Sequence, residues 1–165
     1  MAIVAKLHLR VGADLVAEPF AADAALAGVV AAARRDDALD GALDLVDTDQ
    51  PTKPLCRAEY WDRLDGLLLA WIAVVETLGA GADQGVIVFP DTRIEATLTR
   101  DGDRVHVRYE DVDVTVALDA LATALSDAAA RLVGIVGAET SALRSLQLRS
   151  SGRPSAASPQ PSESI

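Results

Sequence analysis

The chain has 165 residues, half of which are apolar, and this composition excludes a protein that is disordered throughout. Its 25 acidic side chains outnumber 15 basic ones, and the formal net charge of −10 argues against a free-standing nucleic-acid binder and against contact with an anionic membrane. Such a surface favours solubility and attraction to basic partners.

The cysteine content and the apolar segments indicate a cytoplasmic protein. The single cysteine, Cys56, cannot form an intramolecular disulfide, which is typical of a reducing compartment. The first residues lack the basic and then long apolar segments of a signal peptide. The longest apolar stretch, Leu67 to Val75, is much shorter than the roughly 20 residues of a spanning helix. The alanine- and arginine-rich composition is typical of a bacterial genome of high GC content.

A strand and a helix are predicted first along the chain. Apolar and polar residues alternate from Ile3 to Val11, and this period of two predicts a half-buried strand with His8 on its polar side. The alanine-rich run from Ala21 to Arg35 predicts a helix, because alanine is the best helix former.

An acidic stretch without any basic residue follows this helix. Its aspartates are Asp36, Asp37, Asp40, Asp44, Asp47 and Asp49. Three apolar residues within it, Leu39, Leu43 and Val46, are spaced at helical intervals and allow a short second helix. The two prolines between Asp47 and Pro54 indicate a loop.

The clearest helix is predicted from Arg57 to Leu78, where apolar residues recur with the three-and-four spacing of a buried face. Its middle, Leu67 to Val75, is apolar on nearly every side, which is typical of a central helix or of one that also meets a partner. Trp61 and Trp71 fall on nearly the same face of this helix. Core packing is the first interpretation for both, whereas an exposed tryptophan would mark an interface.

Residues Gln84 to Ala117 have the pattern of an antiparallel sheet. Four short apolar or alternating runs predict its strands, at Val86–Phe89, Ile94–Thr99, Val105–Tyr109 and Val112–Val116. The dipeptide Asp101-Gly102 predicts a hairpin, because glycine supplies the positive φ that a tight turn needs. The alternation predicts a β-meander with one face in water, and His106 lies on that face.

The pattern from Leu118 to Val136 predicts a last amphipathic helix, and another helical turn or two is indicated around Ala138 to Leu148. From Ser150 the composition changes to serine, proline, glycine and alanine. This predicts a disordered tail over residues 150–165, after a single domain over residues 1–149.

The order of these elements predicts a two-layer α+β fold. An antiparallel meander of about four or five strands would be packed on one face by three helices. The N-terminal strand is a candidate for an added strand at one edge of the meander. A doubly wound parallel sheet is less favoured by this order of elements.

Catalytic and metal-binding patterns are weak in this sequence. The two histidines are far apart in sequence on outward strand faces, which favours surface roles over a metal site. Cys56 lies beside Arg57 before the long helix, where a helix N-terminus and a cation would lower the pKa of a thiol. Burial would raise the pKa of Glu76, near the end of that helix. Because no second polar group is seen to converge on either residue, we expect no enzymatic activity and no cofactor.

The aspartates give the predicted binding residues. The stretch from Asp36 to Asp49 lacks the regular carboxylate spacing of a calcium loop, so it is interpreted as a solvated face or as a surface for a basic partner. Asp111 and Asp113 form a second small patch with the same two interpretations. Together with Trp61, these aspartates are the predicted partner-binding residues.

Three functional hypotheses follow, in order of preference. The first is a non-enzymatic binding protein that acts on another protein with a basic surface, for example as an inhibitor or immunity-type protein. The second is an assembly subunit of a homo- or hetero-oligomer, with Leu67 to Val75 at the interface. The third is a small enzyme that uses Cys56 or Glu76. None of them involves nucleic acid or a membrane.

Overall fold

A computed structural model describes residues 2–151, which form two four-stranded antiparallel sheets and four α-helices. The first sheet has the spatial order β2-β1-β3-β4, with strands β1 (Ile3–Val11), β2 (Asp14–Ala17), β3 (Asp40–Asp47) and β4 (Asp62–Arg63). The second sheet follows the sequence order, with β5 (Gln84–Val88), β6 (Glu95–Asp101), β7 (Arg104–Tyr109) and β8 (Val112–Ala117). The helices are α1 (Ala24–Asp36), α2 (Leu64–Gly79), α3 (Leu118–Val136) and α4 (Ser141–Ser151).

The predicted α+β class and the β-meander are both confirmed. In the second sheet, alternate side chains such as Leu98, Val107 and Val114 are buried, while the residues between them face solvent. Glycine at Gly102 has a φ of 61° in the turn between β6 and β7, as the Asp-Gly signal predicts. The predicted helix over Leu118 to Val136 has the bounds of α3.

The N-terminal strand does not join the meander. Gly12, with a φ of 64°, turns β1 back into β2, and β3 pairs with the other side of β1 from Ile3↔Asp47 to Leu9↔Gly41. The predicted placement of this strand at an edge of the meander is therefore wrong, because β1 is an inner strand of a separate sheet.

The middle of the acidic stretch, Asp40–Asp47, forms strand β3, so the short helix that its spacing allowed is also wrong. Leu43 and Leu45 are fully buried, whereas Asp40 and Asp44 alternate with them on the opposite face. The spacing of Leu39, Leu43 and Val46 suits either period over so short a segment. The segment is extended because its backbone pairs with that of β1.

Helix α2 begins seven residues later than predicted, at Leu64 rather than Arg57. A short 3₁₀ helix, Ala58–Tyr60, and strand β4 occupy the residues in between. The buried carboxylate of Asp62 accepts hydrogen bonds from the backbone N–H groups of Asp91 (2.9 Å) and Thr92 (3.2 Å), which anchors this segment to the loop after β5. Trp61 therefore lies outside α2.

Helix α2 is the centre of a core that both sheets share. It contacts α3, α4 and strands of each sheet, and α3 likewise contacts β1 and β8. Trp71 is fully buried, and residues Leu67 to Val75 are buried or half-buried within the chain. Much of this stretch is therefore packed within the chain, and its role as an oligomer interface stays a prediction. Within residues 2–151, no helix combines the length and apolarity needed to cross a membrane.

The last helix, α4, packs on α2 and α3 through Leu143 and Leu146, both buried. The helical turns indicated around Ala138 to Leu148 thus extend to residue 151. Only the first two positions of the predicted tail, 150 and 151, fall within this helix, and the remainder lies outside the described residues.

Candidate functional site

The aspartates of the predicted acidic stretch lie in different surroundings. Asp44 accepts a hydrogen bond from the backbone N–H of Ala58 (2.6 Å) and lies 2.7 Å from His8 Nε2. Asp47 is only 1% exposed and accepts hydrogen bonds from the backbone N–H of Asp49 (3.0 Å) and the side chain of Gln50 (3.2 Å). These two carboxylates hold the first sheet to the loop that follows it.

The aspartates that flank β3 on its N-terminal side are separate from one another. Asp36 is paired with Arg35 (3.0 Å) at the end of α1. Asp37 accepts hydrogen bonds from the backbone N–H and the hydroxyl of Ser141, which lower the pKa of this carboxyl and hold the start of α4. Asp40 lies opposite Arg63 on β4, and desolvation by the surrounding protein raises the pKa of its carboxyl. The stretch therefore forms no continuous acidic patch.

The carboxylates of the second predicted patch are hydrogen-bonded to neighbouring side chains of the fold. Asp111 accepts hydrogen bonds from Arg57 (2.8 Å) and from the Tyr60 hydroxyl (3.1 Å), and these bonds lower the pKa of its carboxyl. Asp113 lies 2.6 Å from Nε2 of His106, whose hydrogen bond lowers the pKa of this aspartate. Both carboxylates stay exposed. Arg57 balances the charge of Asp111, and the Arg108 guanidinium lies 3.9 Å from Asp113. Their role in partner binding, like that of the β3 aspartates, stays a prediction.

The two tryptophans have different surroundings. Trp71 is fully buried, in agreement with core packing, whereas Trp61 is 47% exposed on the outer face of the first sheet. The Arg10 guanidinium lies 4.5 Å from the centre of the Trp61 ring, within the range of a cation–π contact. Trp61 alone therefore fits the description of an exposed aromatic that marks an interface.

Four exposed carboxylates that the sequence analysis did not single out meet at one end of the second sheet. We call this set, Asp83, Asp101, Asp103 and Asp119, the acidic end. Two backbone hydrogen bonds bring its loops side by side, from Arg100 N to Asp83 O (2.8 Å) and from Leu118 N to Asp103 O (2.9 Å). None of the four has an ion pair within residues 2–151.

The nearest arginines are held by backbone groups instead of carboxylates. Arg100 donates to the carbonyls of Leu78 and Gly102, both at 2.8 Å, and Arg104 donates to the carbonyl of Thr115 (3.1 Å). These two guanidinium groups therefore lie near the acidic end without forming an ion pair with its carboxylates within residues 2–151. In the sequence, an aspartate lies at or next to one end of each of β5, β6, β7 and α3. This pattern indicates a common surface only when the topology of the sheet is known, because the topology brings these ends together.

The candidate catalytic residues Cys56 and Glu76 lie apart, one in the core and one at the surface. Cys56 is fully buried and precedes the 3₁₀ helix rather than α2, so the expected helix N-terminus is absent there and burial raises the thiol pKa to about 12. Glu76 is paired with Arg149 of α4. His8 and His106 belong to different sheets. Within residues 2–151 no three potential ligands come together to hold a metal ion.

We expect Cys56 in the native protein to react with iodoacetamide at least about a hundredfold more slowly than an exposed thiol, because only the thiolate is nucleophilic. The measurement is mass-spectrometric labelling at neutral pH, with and without urea. A Cys56→Ser, Thr99→Cys protein supplies the exposed control, since Thr99 faces solvent on β6. Labelling of native Cys56 at the rate of this control would contradict the buried state.

Comparison of the chain with protein-family models, with curated proteins and with solved structures finds no match. Its function is therefore inferred from the placement of its own side chains. Two surface features stand out in the described part of the chain: the acidic end, and the exposed Trp61 with its neighbour Arg10.

Proposed function

We propose that this chain is a non-enzymatic binding protein that recognises a basic protein partner, and that the acidic end is its main recognition surface. The observation that carries this proposal is that four exposed carboxylates lie at the same end of the second sheet and none has an ion pair in the described part of the chain. A cytoplasmic inhibitor or immunity-type protein, which covers a basic surface of its target, is one concrete form of this function.

The physical basis is long-range attraction. A net charge of −10 draws a basic protein towards the molecule, and unpaired surface carboxylates speed the encounter and select the partner. The aspartates of β3 contribute less, because Asp44 and Asp47 are committed to contacts within the fold. A partner that displaced them would have to break those contacts.

The surroundings of Cys56 and Glu76 also favour binding over chemistry. A nucleophile needs a base within hydrogen-bond reach, and neither histidine is placed beside the thiol. His8 is hydrogen-bonded to Asp44 and His106 to Asp113. These contacts support the proposal of a protein that makes and breaks no covalent bond.

The test is affinity capture from a native lysate with the full chain as bait, followed by a titration with the recovered partner. Changing Asp83, Asp101, Asp103 and Asp119 together to asparagine is expected to weaken binding at least about tenfold, because the local field that attracts the partner is removed. Raising the salt concentration is expected to weaken the wild-type complex as well, since exposed charges are screened.

The matched control changes four exposed acids elsewhere, Asp14, Asp23 and Asp127 to asparagine and Glu59 to glutamine. Its net charge changes by the same amount, so it separates a local surface from overall charge. Equal weakening in both variants would contradict the acidic end as the recognition surface. A partner without a basic surface, or binding that ignores salt, would contradict the proposed function itself.

A further inference from the structure

Strand β5 is an edge strand, paired only with β6. Two hydrogen bonds continue this pairing, from Phe89 N to Ile94 O and from Arg100 N to Asp83 O. They show which residues of β5 direct their backbone N–H and C=O groups towards β6. Because hydrogen-bonded pairs alternate in an antiparallel ladder, positions 85 and 87 face β6. The backbone groups of Gln84, Val86 and Val88 therefore face the free edge.

These edge-facing backbone groups have no hydrogen-bond partner within residues 2–151. Their side chains lie on the outer face of the sheet, where Val86 is 48% and Val88 is 52% exposed. The strand QGVIV contains no charge and no proline, although edge strands normally carry such groups to prevent pairing with another chain. This edge is thus both open and unprotected.

The other edge of the same sheet, strand β8, is protected by side chains. On β8, the side chain of Gln50 donates to the carbonyl of Thr115 (3.2 Å), and Asp113 places a charge beside it. The edge strand β2 of the first sheet is shorter and begins with the charged residue Asp14. Protection at these edges makes the bare edge of β5 a specific feature of one side of the molecule.

We propose that the free edge of β5 accepts an extended segment of the basic partner, which adds a fifth strand to the second sheet. This inference rests on the proposed function for the charge of the partner. Exposed carboxylates frame the edge, with Asp83 at one end and Asp91 and Glu95 at the other, and none has an ion pair in the described chain. Arg93 is the one cation in the loop between β5 and β6.

The geometry defines the chemistry of that segment. Side chains on the outer face of an added strand would lie beside Val86 and Val88, which favours β-branched or other apolar residues at alternate positions. Lysine or arginine at the ends of the segment would meet Asp83 at one end and Asp91 and Glu95 at the other. Main-chain hydrogen bonds would supply affinity, as in other cases of strand addition.

A second copy of the chain is a poorer occupant of this edge. In a two-fold pairing centred on Val86, Asp83 of each copy would approach Phe89 and Asp91 of the other. Like charges would then meet at both ends, between molecules that each carry a charge of −10. A basic strand replaces this repulsion with attraction.

The test uses a synthetic peptide, KKTVTVTKK, and a second peptide of the same sequence whose edge-facing backbone nitrogens are methylated. Both carry the same charge, so only the main-chain hydrogen bonds differ. We expect methylation to weaken binding to the full chain at least tenfold. Upon binding of the parent peptide, hydrogen exchange should slow at the amides of Gln84, Val86 and Val88.

Two protein variants complete the experiment. Val88→Lys should weaken binding of the peptide at least tenfold, whereas Val4→Lys, at an equally exposed valine of β1, should not. Val86→Pro removes an edge-facing N–H without a change of charge and should weaken binding as well. Sedimentation of the free chain should give a monomer.

The outcomes separate this inference from the proposed function. Equal binding of both peptides overturns strand addition but leaves an electrostatic binding protein intact. Absence of binding, or protection of amides on β2 instead of β5, overturns the proposed edge. A dimer that Val86→Pro abolishes would assign the edge to a second copy and overturn the proposal of a basic segment.

Discussion

Replacement of Asp65 by alanine is expected to lower the free energy of unfolding by about 3 kcal/mol. This carboxylate is 2% exposed and accepts hydrogen bonds from the Thr140 hydroxyl (2.6 Å) and the backbone N–H of Leu39 (3.2 Å). Thr140 in turn accepts from the backbone N–H of Leu143 in the first turn of α4 (3.1 Å). The substitution leaves buried donors without an acceptor, and this desolvation cost is what destabilises the fold.

Chemical denaturation followed by circular dichroism measures the loss, and Asp127→Ala, at an exposed position on α3, is the control expected to change stability by less than about 0.5 kcal/mol. Hydrogen exchange should also accelerate at the Leu143 amide more than in the middle of α2. A loss no larger than that of the control would show that Asp65 does not hold α4 in place.

Replacement of Gly41 by alanine is expected to cost about 3 kcal/mol, because overpacking against a backbone atom cannot be relieved by a side-chain rotation. A β-carbon at this position would lie 2.2 Å from the carbonyl oxygen of His8 and 3.2 Å from the β-carbon of Leu64. His8 belongs to the inner strand β1, so its carbonyl cannot move without disturbing pairing on both sides.

The same substitution at Gly28 is the matched control. Gly28 lies inside α1, and nothing lies within 4 Å of a β-carbon placed there. Gly28→Ala is therefore expected to stabilise the protein by about 1 kcal/mol, from helix propensity alone. Thermal unfolding of the two variants should shift in opposite directions, and a neutral or stabilising Gly41→Ala would contradict the close contact between β1 and β3.

The parts of the fold that the sequence predicts well are those in which local pattern and tertiary environment agree. Strand β1, the meander and α3 each have an apolar face that is buried in one layer, so their periodicity is clear. Strand β3 was missed because Asp47 occupies a buried position, where an apolar residue would have continued the alternation. Hydrogen bonds from the backbone N–H of Asp49 and the side chain of Gln50 offset the cost of burying this carboxylate. The sequence pattern does not show these hydrogen bonds.

The start of α2 was missed for a related reason. Asp62 and Asp65 are compatible with polar positions of a helix that begins at Arg57, yet both are buried and bind segments that are distant in sequence. Asp62 holds the loop at Asp91, and Asp65 reaches Thr140. Such long-range hydrogen bonds leave no periodic trace in the sequence.

For the candidate site, the sequence gives the total charge but not its location. The dense aspartates of the acidic stretch attract attention, but most of them are engaged by His8, Ser141 or backbone N–H groups once the chain folds. The aspartates of the acidic end are dispersed in sequence, and only the return of the meander brings them together. The free edge of β5 likewise depends on which strand ends the sheet, a property of topology.

The contact between β1 and α3 has a consequence for synthesis of the protein on the ribosome. Arg131 of α3 donates a hydrogen bond to the carbonyl of Ala5 (2.7 Å), and the helix contacts the strand along the shared core. Helix α3 is translated after the strands of both sheets, so the nascent chain cannot form this contact until residue 131 has been added. The core that both sheets share therefore closes only after α3 and α4 have been translated, although the strands of each sheet can pair before then.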